Sequence, residues 1–96
     1  MRRSEARLQR DIQRELRLRG FWVRKMHGGI YGVAGDPDLL AVRDGYAYGL
    51  EVKRPGERPT KIQRHRLGEL EAAGAIVGVV TSLEEALDLV SQRAVA

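Results

Sequence analysis

The chain has 96 residues, no cysteine and a formal net charge of +4. The lack of cysteine excludes disulfide bonds and thiolate metal sites and fits a reducing compartment. No apolar run reaches membrane-spanning length, and no signal-peptide segment opens the sequence. We therefore expect a cytoplasmic protein, from a bacterium or from a virus acting in a bacterial host, folded as a single domain over residues 1–96.

Positive charge is concentrated in two segments of the sequence. Residues 1–25 carry nine arginine and lysine side chains against three acids, and residues 53–66 carry six against one. A single exposed arginine is well explained as solvated helix surface, but clusters of this kind favour a nucleic-acid partner. The residues predicted to contact DNA are Arg3, Arg7, Arg10, Lys25, His27, Tyr31, Arg54, Lys61 and Arg64. For His27 and Tyr31, an ordinary loop or packing role is an equal alternative.

The first third of the chain predicts a helix, a strand and a glycine-rich loop. Ser4 is a suitable N-cap for a helix that ends at Gly20, and its apolar side chains recur at the spacing of one helix face. The segment 21–26 reads as a strand, and residues 27–35 contain four glycines. The loop lacks the lysine-serine ending of a nucleotide-triphosphate loop, so we do not predict that function.

The stretch 35–53 predicts a β-hairpin that brings two acids together. Asp44-Gly45 separates two apolar, β-favouring runs, which is a strong signal for a two-residue hairpin turn. With that turn, Asp38 lies opposite Glu51, and Lys53 shares their face because side chains alternate along a strand. Opposed residues have Cβ atoms about 4.5–5.5 Å apart, so two carboxylates there repel unless a cation lies between them. A hard divalent cation such as Mg²⁺ prefers oxygen ligands, and Lys53 is placed to hold or deprotonate a water molecule. The alternative is an exposed sheet face on which Lys53 neutralises one acid.

The remaining elements follow from capping and apolar patterns. Thr60 and Gln63 form the sequence pattern of a capping box, and that helix stops at Gly74. Residues 75–80 are almost all apolar, which predicts a strand buried on both faces. Ser82 and Glu85 then open a final helix. The predicted fold class is α/β with the order αβββαβα, a mixed four-stranded sheet flanked by helices.

Pro37-Asp38 followed by Glu51-Val52-Lys53 matches the PD-(D/E)xK nuclease motif. With the preceding helix, the glycine loop and the later Gln63, this arrangement resembles the VRR-NUC family of virus-type replication-repair nucleases over nearly the whole chain. The archaeal type of Holliday junction resolvase shares the core and is a close second. The resemblance implies a restriction-endonuclease-like fold and Mg²⁺- or Mn²⁺-dependent cleavage of DNA.

The resemblance also assigns roles to residues of this chain. It implies metal binding by Asp38, Glu51 and the Val52 carbonyl, with Lys53 and Gln63 completing the catalytic set. The helical glutamate of the family maps to Glu5 as a further metal ligand, although the resolvases would place an acid at the position of Gln9. The alternative for Glu5 is a first-turn residue that complements the helix dipole. The implied substrate is branched DNA such as four-way junctions, cut by a homodimer that forms through the C-terminal helix or the Tyr46–Tyr48 hairpin. The alternatives are a flap or nicking nuclease, a DNA-binding module without catalysis, and a nuclease subunit.

Overall fold

Three helices and four strands make up the part of the chain that this computed structural model describes, residues 4–26 and 32–93. In chain order they are α1 (Glu5–Leu18), β1 (Trp22–Lys25), β2 (Leu39–Arg43), β3 (Tyr46–Val52), α2 (Lys61–Ala72), β4 (Ile76–Val80) and α3 (Leu83–Val90). The predicted order αβββαβα is therefore confirmed. Three predicted DNA-contacting residues, Arg3, His27 and Tyr31, lie outside the described residues.

The strands form one mixed sheet in the order β1-β2-β3-β4. The first two pairings are antiparallel and the pairing of β3 with β4 is parallel. Arg43 pairs with Tyr46, as the two-residue turn requires. Asp44 and Gly45 have φ angles of 53° and 83°, the left-handed conformation that favours an Asp-Gly turn. The register predicted from the sequence is thus confirmed.

The core lies between one face of this sheet and the pair formed by α1 and α3, which also contact each other. From α1, Leu8, Ile12 and Leu16 are buried there, at the helical spacing seen in the sequence. From β3, Leu50 and Val52 point into the same core, so the intervening Glu51 points to the opposite face. The second face is covered in part by α2, which contacts β3 and β4.

The expectation that the last strand is buried on both faces is wrong. β4 is at the edge of the sheet, and Val79 is 38% exposed although it is apolar. Only Leu67 of α2 is buried, so this helix covers a small part of the second face. An all-apolar strand predicts burial only when helices cover the whole of both faces, and here one face is covered incompletely.

The helix caps agree with the sequence patterns. Ser4, Thr60 and Ser82 are the N-caps of α1, α2 and α3, and each side-chain oxygen accepts a backbone N–H bond. In the described part of the chain, no helix has the length and apolar character needed to span a membrane.

The two surfaces predicted for dimer formation are largely used inside the fold. Tyr48 is 0% exposed, and its hydroxyl donates a hydrogen bond to the Gln92 carbonyl at 2.7 Å. This tyrosine is therefore unavailable to a partner, because it lies on the same face of β3 as Leu50 and Val52 and belongs to the core. In α3, Leu83 and Leu87 pack against the core and Val90 belongs to it.

Candidate active site

Asp38 and Glu51 meet at the end of the β2–β3 hairpin that is opposite its turn. Leu39 pairs with Leu50, so the next step of the register places Asp38 across from Glu51. The Val52 N–H donates a hydrogen bond to Asp38 Oδ2 at 2.8 Å, which fixes one oxygen of that carboxylate. The Met26 N–H donates to the Asp38 carbonyl, also at 2.8 Å. The position of Asp38 is therefore set by backbone groups of both neighbouring strands.

The loop before Asp38 is held against the start of α2. A Cβ atom at Gly35 would lie 2.6 Å from the Ile62 carbonyl oxygen, and the φ of Gly35 is +85°. The Arg66 guanidinium donates to the Ala34 carbonyl at 3.1 Å. Glycine is needed at this position because a side chain would both clash and strain the backbone. This packing determines the direction from which the chain approaches Asp38.

Glu51 is an almost fully buried carboxyl group, only 1% exposed. Burial, and after it the charge of Asp38, raises the pKa of Glu51 to about 7. Lys53 acts in the opposite direction, with its Nζ 3.7 Å from Glu51 Oε1. Functional sites typically contain such a carboxyl group, which titrates near neutral pH and lies beside a second acid and a lysine.

Two buried side-chain oxygens have no hydrogen-bond partner among the described residues, Glu51 Oε2 and Gln9 Oε1. Buried polar atoms are normally satisfied, and an unpaired one costs about 1–3 kcal/mol. An unpaired carboxylate oxygen facing a second carboxylate is suited to a bound cation. The buried Gln9 belongs to α1, where the sequence left either Glu5 or Gln9 as the helical residue of the site.

A divalent cation fits this pair of acids. Within residues 4–26 and 32–93, no group of three or more histidine or acidic side chains is placed to hold a metal ion. Mg²⁺ does not require such a group, since it commonly binds through one or two carboxylates and takes its other ligands from water and substrate phosphates. The unpaired Glu51 Oε2 and the backbone-fixed Asp38 are oxygen donors of this kind.

Glu5, the first residue of α1, lies beside the segment that follows Lys53. Burial raises the pKa of Glu5, and a hydrogen bond with Glu57 raises it further. The same hydrogen bond lowers the pKa of Glu57, together with the Arg54 guanidinium, which contacts Glu57 Oε1 at 2.6 Å. Lys53 is close enough to act on both glutamates. Glu5 therefore interacts with Lys53 of the site and forms a hydrogen bond with Glu57.

Glu57 was not identified from the sequence as part of this region. In the sequence, Glu57 is one residue of a short polar loop. Its hydrogen bond with Glu5 joins residues that are far apart in the chain, so no local pattern indicates it. Beside these residues lies a mostly apolar cavity of about 330 Å³. It is lined by Glu5, Leu8, Arg54, Pro55, Thr81, Ser82 and Leu83.

Gln63 has the structural role that its spacing from Thr60 predicts. The Thr60 N–H donates to Gln63 Oε1 at 2.8 Å, and the Gln63 N–H donates to Thr60 Oγ1 at 3.3 Å. Both halves of the capping box are therefore formed. The side-chain oxygen of Gln63 is committed to this cap, which leaves the amide nitrogen, a donor, for any role in the site.

The predicted DNA-contacting residues that the structure describes lie on several elements. Arg7 and Arg10 are exposed on α1, Lys25 is exposed on β1, and Lys61 is exposed in the first turn of α2. Arg54 pairs with Glu57, and the Arg64 guanidinium donates to the Pro59 carbonyl at 2.8 Å. The first turns of α1 and α2, with Arg7 and Lys61, flank the loop that follows Lys53 and carries Arg54.

Comparison with known proteins agrees with the motif. No protein-family model and no curated protein matches the sequence. A solved structure described as a VRR_NUC domain is similar in fold, with a TM-score of 0.76. It is 29% identical in sequence and covers 92% of this chain and 95% of its own. This similarity, together with the PD-(D/E)xK residues Asp38, Glu51 and Lys53, supports membership in the VRR-NUC family of nuclease domains, and the chain has a restriction-endonuclease-like fold.

Proposed function

We propose that the protein is a divalent-metal-dependent DNA endonuclease that hydrolyses phosphodiester bonds, with a preference for branched DNA such as four-way junctions. One observation carries the proposal: a pair of carboxyl groups, the buried Glu51 and the half-buried Asp38, with Lys53 at 3.7 Å from Glu51. The similarity to a VRR_NUC domain supports a nuclease domain, and the geometry supports hydrolysis at this pair.

We propose Mg²⁺ or Mn²⁺ as the cofactor, held by Asp38, Glu51 and the Val52 carbonyl, with Glu5 or Gln9 as the contribution of α1. When bound, the metal supplies a Lewis acid beside the scissile phosphate. The Val52 N–H keeps Asp38 Oδ2 in place, so the second oxygen of Asp38 remains available on the side of Glu51.

Lys53 has the main role among the protein's own groups once the phosphate is in place. As a cation 15% exposed at its side chain, it donates hydrogen bonds to the attacking water and to the phosphate oxygens. Charge builds up on those oxygens in the transition state, where a fixed cation stabilises it more than it stabilises the ground state. Gln63 offers its amide N–H groups from the first turn of α2.

DNA is held in this proposal through its phosphates, by Arg7, Arg10, Lys25, Arg54, Lys61 and Arg64. Contacts of this type position a nucleic acid without reading its sequence. Resolution of a four-way junction needs two matched cuts, which two copies related by a two-fold axis can provide. We therefore propose a homodimer as the active form on junctions.

A cleavage assay tests the proposal. Linear duplex, flapped, nicked and four-way DNA are incubated with the protein in Mg²⁺, Mn²⁺ or EDTA. We expect metal-dependent cleavage, fastest on the junction, and its loss in Asp38→Asn, Glu51→Gln and Lys53→Met. The asparagine side chain retains an acceptor for the Val52 N–H, so Asp38→Asn removes the charge and keeps the hydrogen bond.

Matched controls are Asp88→Asn and Glu84→Gln, two exposed acids of α3. They should cut at the wild-type rate, and circular dichroism should give the same spectrum for all variants. Full activity in any of the three site variants would exclude that residue from catalysis. Binding without cleavage on every substrate would instead support a DNA-binding module.

A further inference from the structure

Part of the sheet face that carries the catalytic pair has no helix over it. In the described segments, α1 and α3 cover the opposite face, and α2 contacts β3 and β4 but neither β1 nor β2. Along β1, Val23 is buried under α1, so Trp22 and Arg24 point to the open face. Along β2, Leu40 and Val42 point the same way and are only half-buried. We call the strip formed by Trp22, Arg24, Leu40 and Val42 the open strip.

The open strip carries an exposed aromatic ring next to a cation. Trp22 is the chain's single tryptophan and is 48% exposed. The Arg24 guanidinium carbon lies 4.6 Å from the centroid of the Trp22 ring. Arg24 also donates to the Val23 carbonyl at 3.1 Å, and it has no acidic partner among the described residues. An exposed indole flanked by an uncompensated guanidinium has the chemistry of a stacking platform for nucleobases.

The strip is continuous with the catalytic pair. Trp22 pairs with Val42 and Arg24 with Leu40, and the Met26 N–H reaches the Asp38 carbonyl at the end of the same ladder. Val42 lies four positions along the chain from Asp38, or about 14 Å at the usual strand rise. A groove of about 400 Å³ adjoins the strip at Leu40 and is lined also by Met26, Pro37 and Leu70.

Charge decides between two possible occupants of the strip. A second copy of the chain, placed symmetrically on the strip, would bring two Arg24 side chains together without acidic partners from the strip. A DNA strand instead supplies phosphates for Arg24 and bases for Trp22. The strip also lies on the face where the proposed function requires DNA to enter.

We propose that Trp22 and Arg24 bind an unpaired nucleotide of the strand that reaches the catalytic pair and so select DNA with single-stranded or branch-point character. The path of the DNA in this inference rests on the proposed function. The stacking platform rests on the exposure of Trp22 and on its contact with Arg24. Trp22 stacks on the base, and Arg24 contacts the adjacent phosphate.

The test uses Trp22 fluorescence in the Asp38→Asn background, in which substrates stay intact. Oligo(dT) of twelve nucleotides should quench the emission, and a blunt hairpin duplex of the same charge should quench it less. In anisotropy titrations with labelled oligo(dT), Trp22→Ala should weaken binding by about 5- to 100-fold, the usual loss for one stacked base. Trp22→Phe should recover most of this loss, because phenylalanine keeps a stacking ring.

Leu18→Ala is the matched control, since Leu18 is apolar, 75% exposed and on α1. It should leave the affinity unchanged. In the catalytically intact background, Trp22→Ala should raise KM for a junction and keep kcat, because the ring lies away from the reacting atoms.

Three results separate the platform from the alternatives. Unchanged affinity of Trp22→Ala for oligo(dT) would overturn the inference even if the protein is a nuclease. Conversion of a dimer to a monomer by Trp22→Ala would also overturn it and assign the strip to a second copy. Loss of cleavage in all conditions with Trp22-dependent quenching intact would refute only the proposed hydrolysis.

Discussion

Replacement of Glu51 by glutamine should stabilise the metal-free protein at alkaline pH. The pKa of Glu51 is raised to about 7 in the folded protein, chiefly by burial, from 4.5 as the ordinary value. The folded state therefore holds a proton between these two pH values that the unfolded chain has released. It follows that the stability falls as pH rises through this window, and that the full cost is present above pH 7.

The size of the effect follows from the shift in pKa. A change of one unit corresponds to about 1.36 kcal/mol, so a shift from 4.5 to about 7 corresponds to about 3 kcal/mol at pH 8. This is a large fraction of the usual range of about 5–15 kcal/mol for a small domain. Glutamine has the shape of glutamate and no charge to bury, so Glu51→Gln should gain most of this free energy at pH 8 and little at pH 4.5.

Urea denaturation in EDTA at pH 4.5, 6, 7 and 8 measures the difference between wild type and Glu51→Gln. Titrating groups away from the site contribute equally to both proteins, so the difference in free energy of unfolding reports on Glu51 together with its neighbours Asp38 and Lys53. Glu84→Gln, at an exposed position, should follow the wild type at every pH. Saturating Mg²⁺ or Mn²⁺ should then stabilise the wild type, by about 2.7 kcal/mol at 100 times Kd, and leave Glu51→Gln almost unchanged. A Glu51→Gln protein less stable than wild type at pH 8 in EDTA would refute the reasoning.

Three further outcomes are expected. Gly35→Ala should lower the free energy of unfolding, measured in urea titrations, by about 1–3 kcal/mol more than Gly56→Ala. Both glycines have positive φ, but only Gly35 has atoms within 4 Å of the added carbon. Equal losses in the two variants would exclude the contact with Ile62 as the cause. Gln63→Ala should lower the free energy of unfolding by about 1 kcal/mol, because the hydrogen bond of the cap is lost. Gln63→Glu keeps the acceptor oxygen and should keep the stability. If Gln63→Glu also cleaves DNA at the wild-type rate, the role of Gln63 is structural only. Arg7→Ala and Arg10→Ala should each reduce the slope of log affinity for DNA against log salt concentration by roughly one unit, and an unchanged slope would remove that arginine from the interface.

The part of the site that the sequence predicted is the part governed by local rules. Asp44-Gly45 fixes the turn, the turn fixes the register, and the register places Asp38 across from Glu51. The Thr60–Gln63 cap is equally local, since it joins residues three positions apart. Patterns of this type need no knowledge of how the elements are arranged in space, which is why they were predicted correctly.

What the sequence could not predict depends on how far each helix extends over the sheet. Val79 and Trp22 are apolar residues in strands, and nothing in their neighbours indicates that α2 leaves both of them exposed. The proximity of Glu5 to Glu57 joins the start of α1 to the loop after β3, a contact made only once the sheet and helices have packed. Burial of Tyr48 likewise follows from packing, because α1 and α3 contact β3 on its core face and Tyr48 belongs to that core.

The position of Glu51 is set by the residues on either side of it. Leu50 and Val52 are both 0% exposed in the core, and the strand alternation forces the carboxyl group between them onto the opposite face. The two apolar neighbours therefore offset the cost of burying an acid beside Asp38, since each contributes about 1.5–3 kcal/mol through its own burial. The same contacts hold the carboxyl group in place whether or not a cation is bound. Because the core fixes Leu50 and Val52, Glu51 stays buried beside Asp38, and Lys53 at 3.7 Å offsets only part of the cost of a negative charge there. Proton uptake and cation binding each reduce that cost further. The raised pKa of Glu51 and its suitability for metal are thus two consequences of one arrangement.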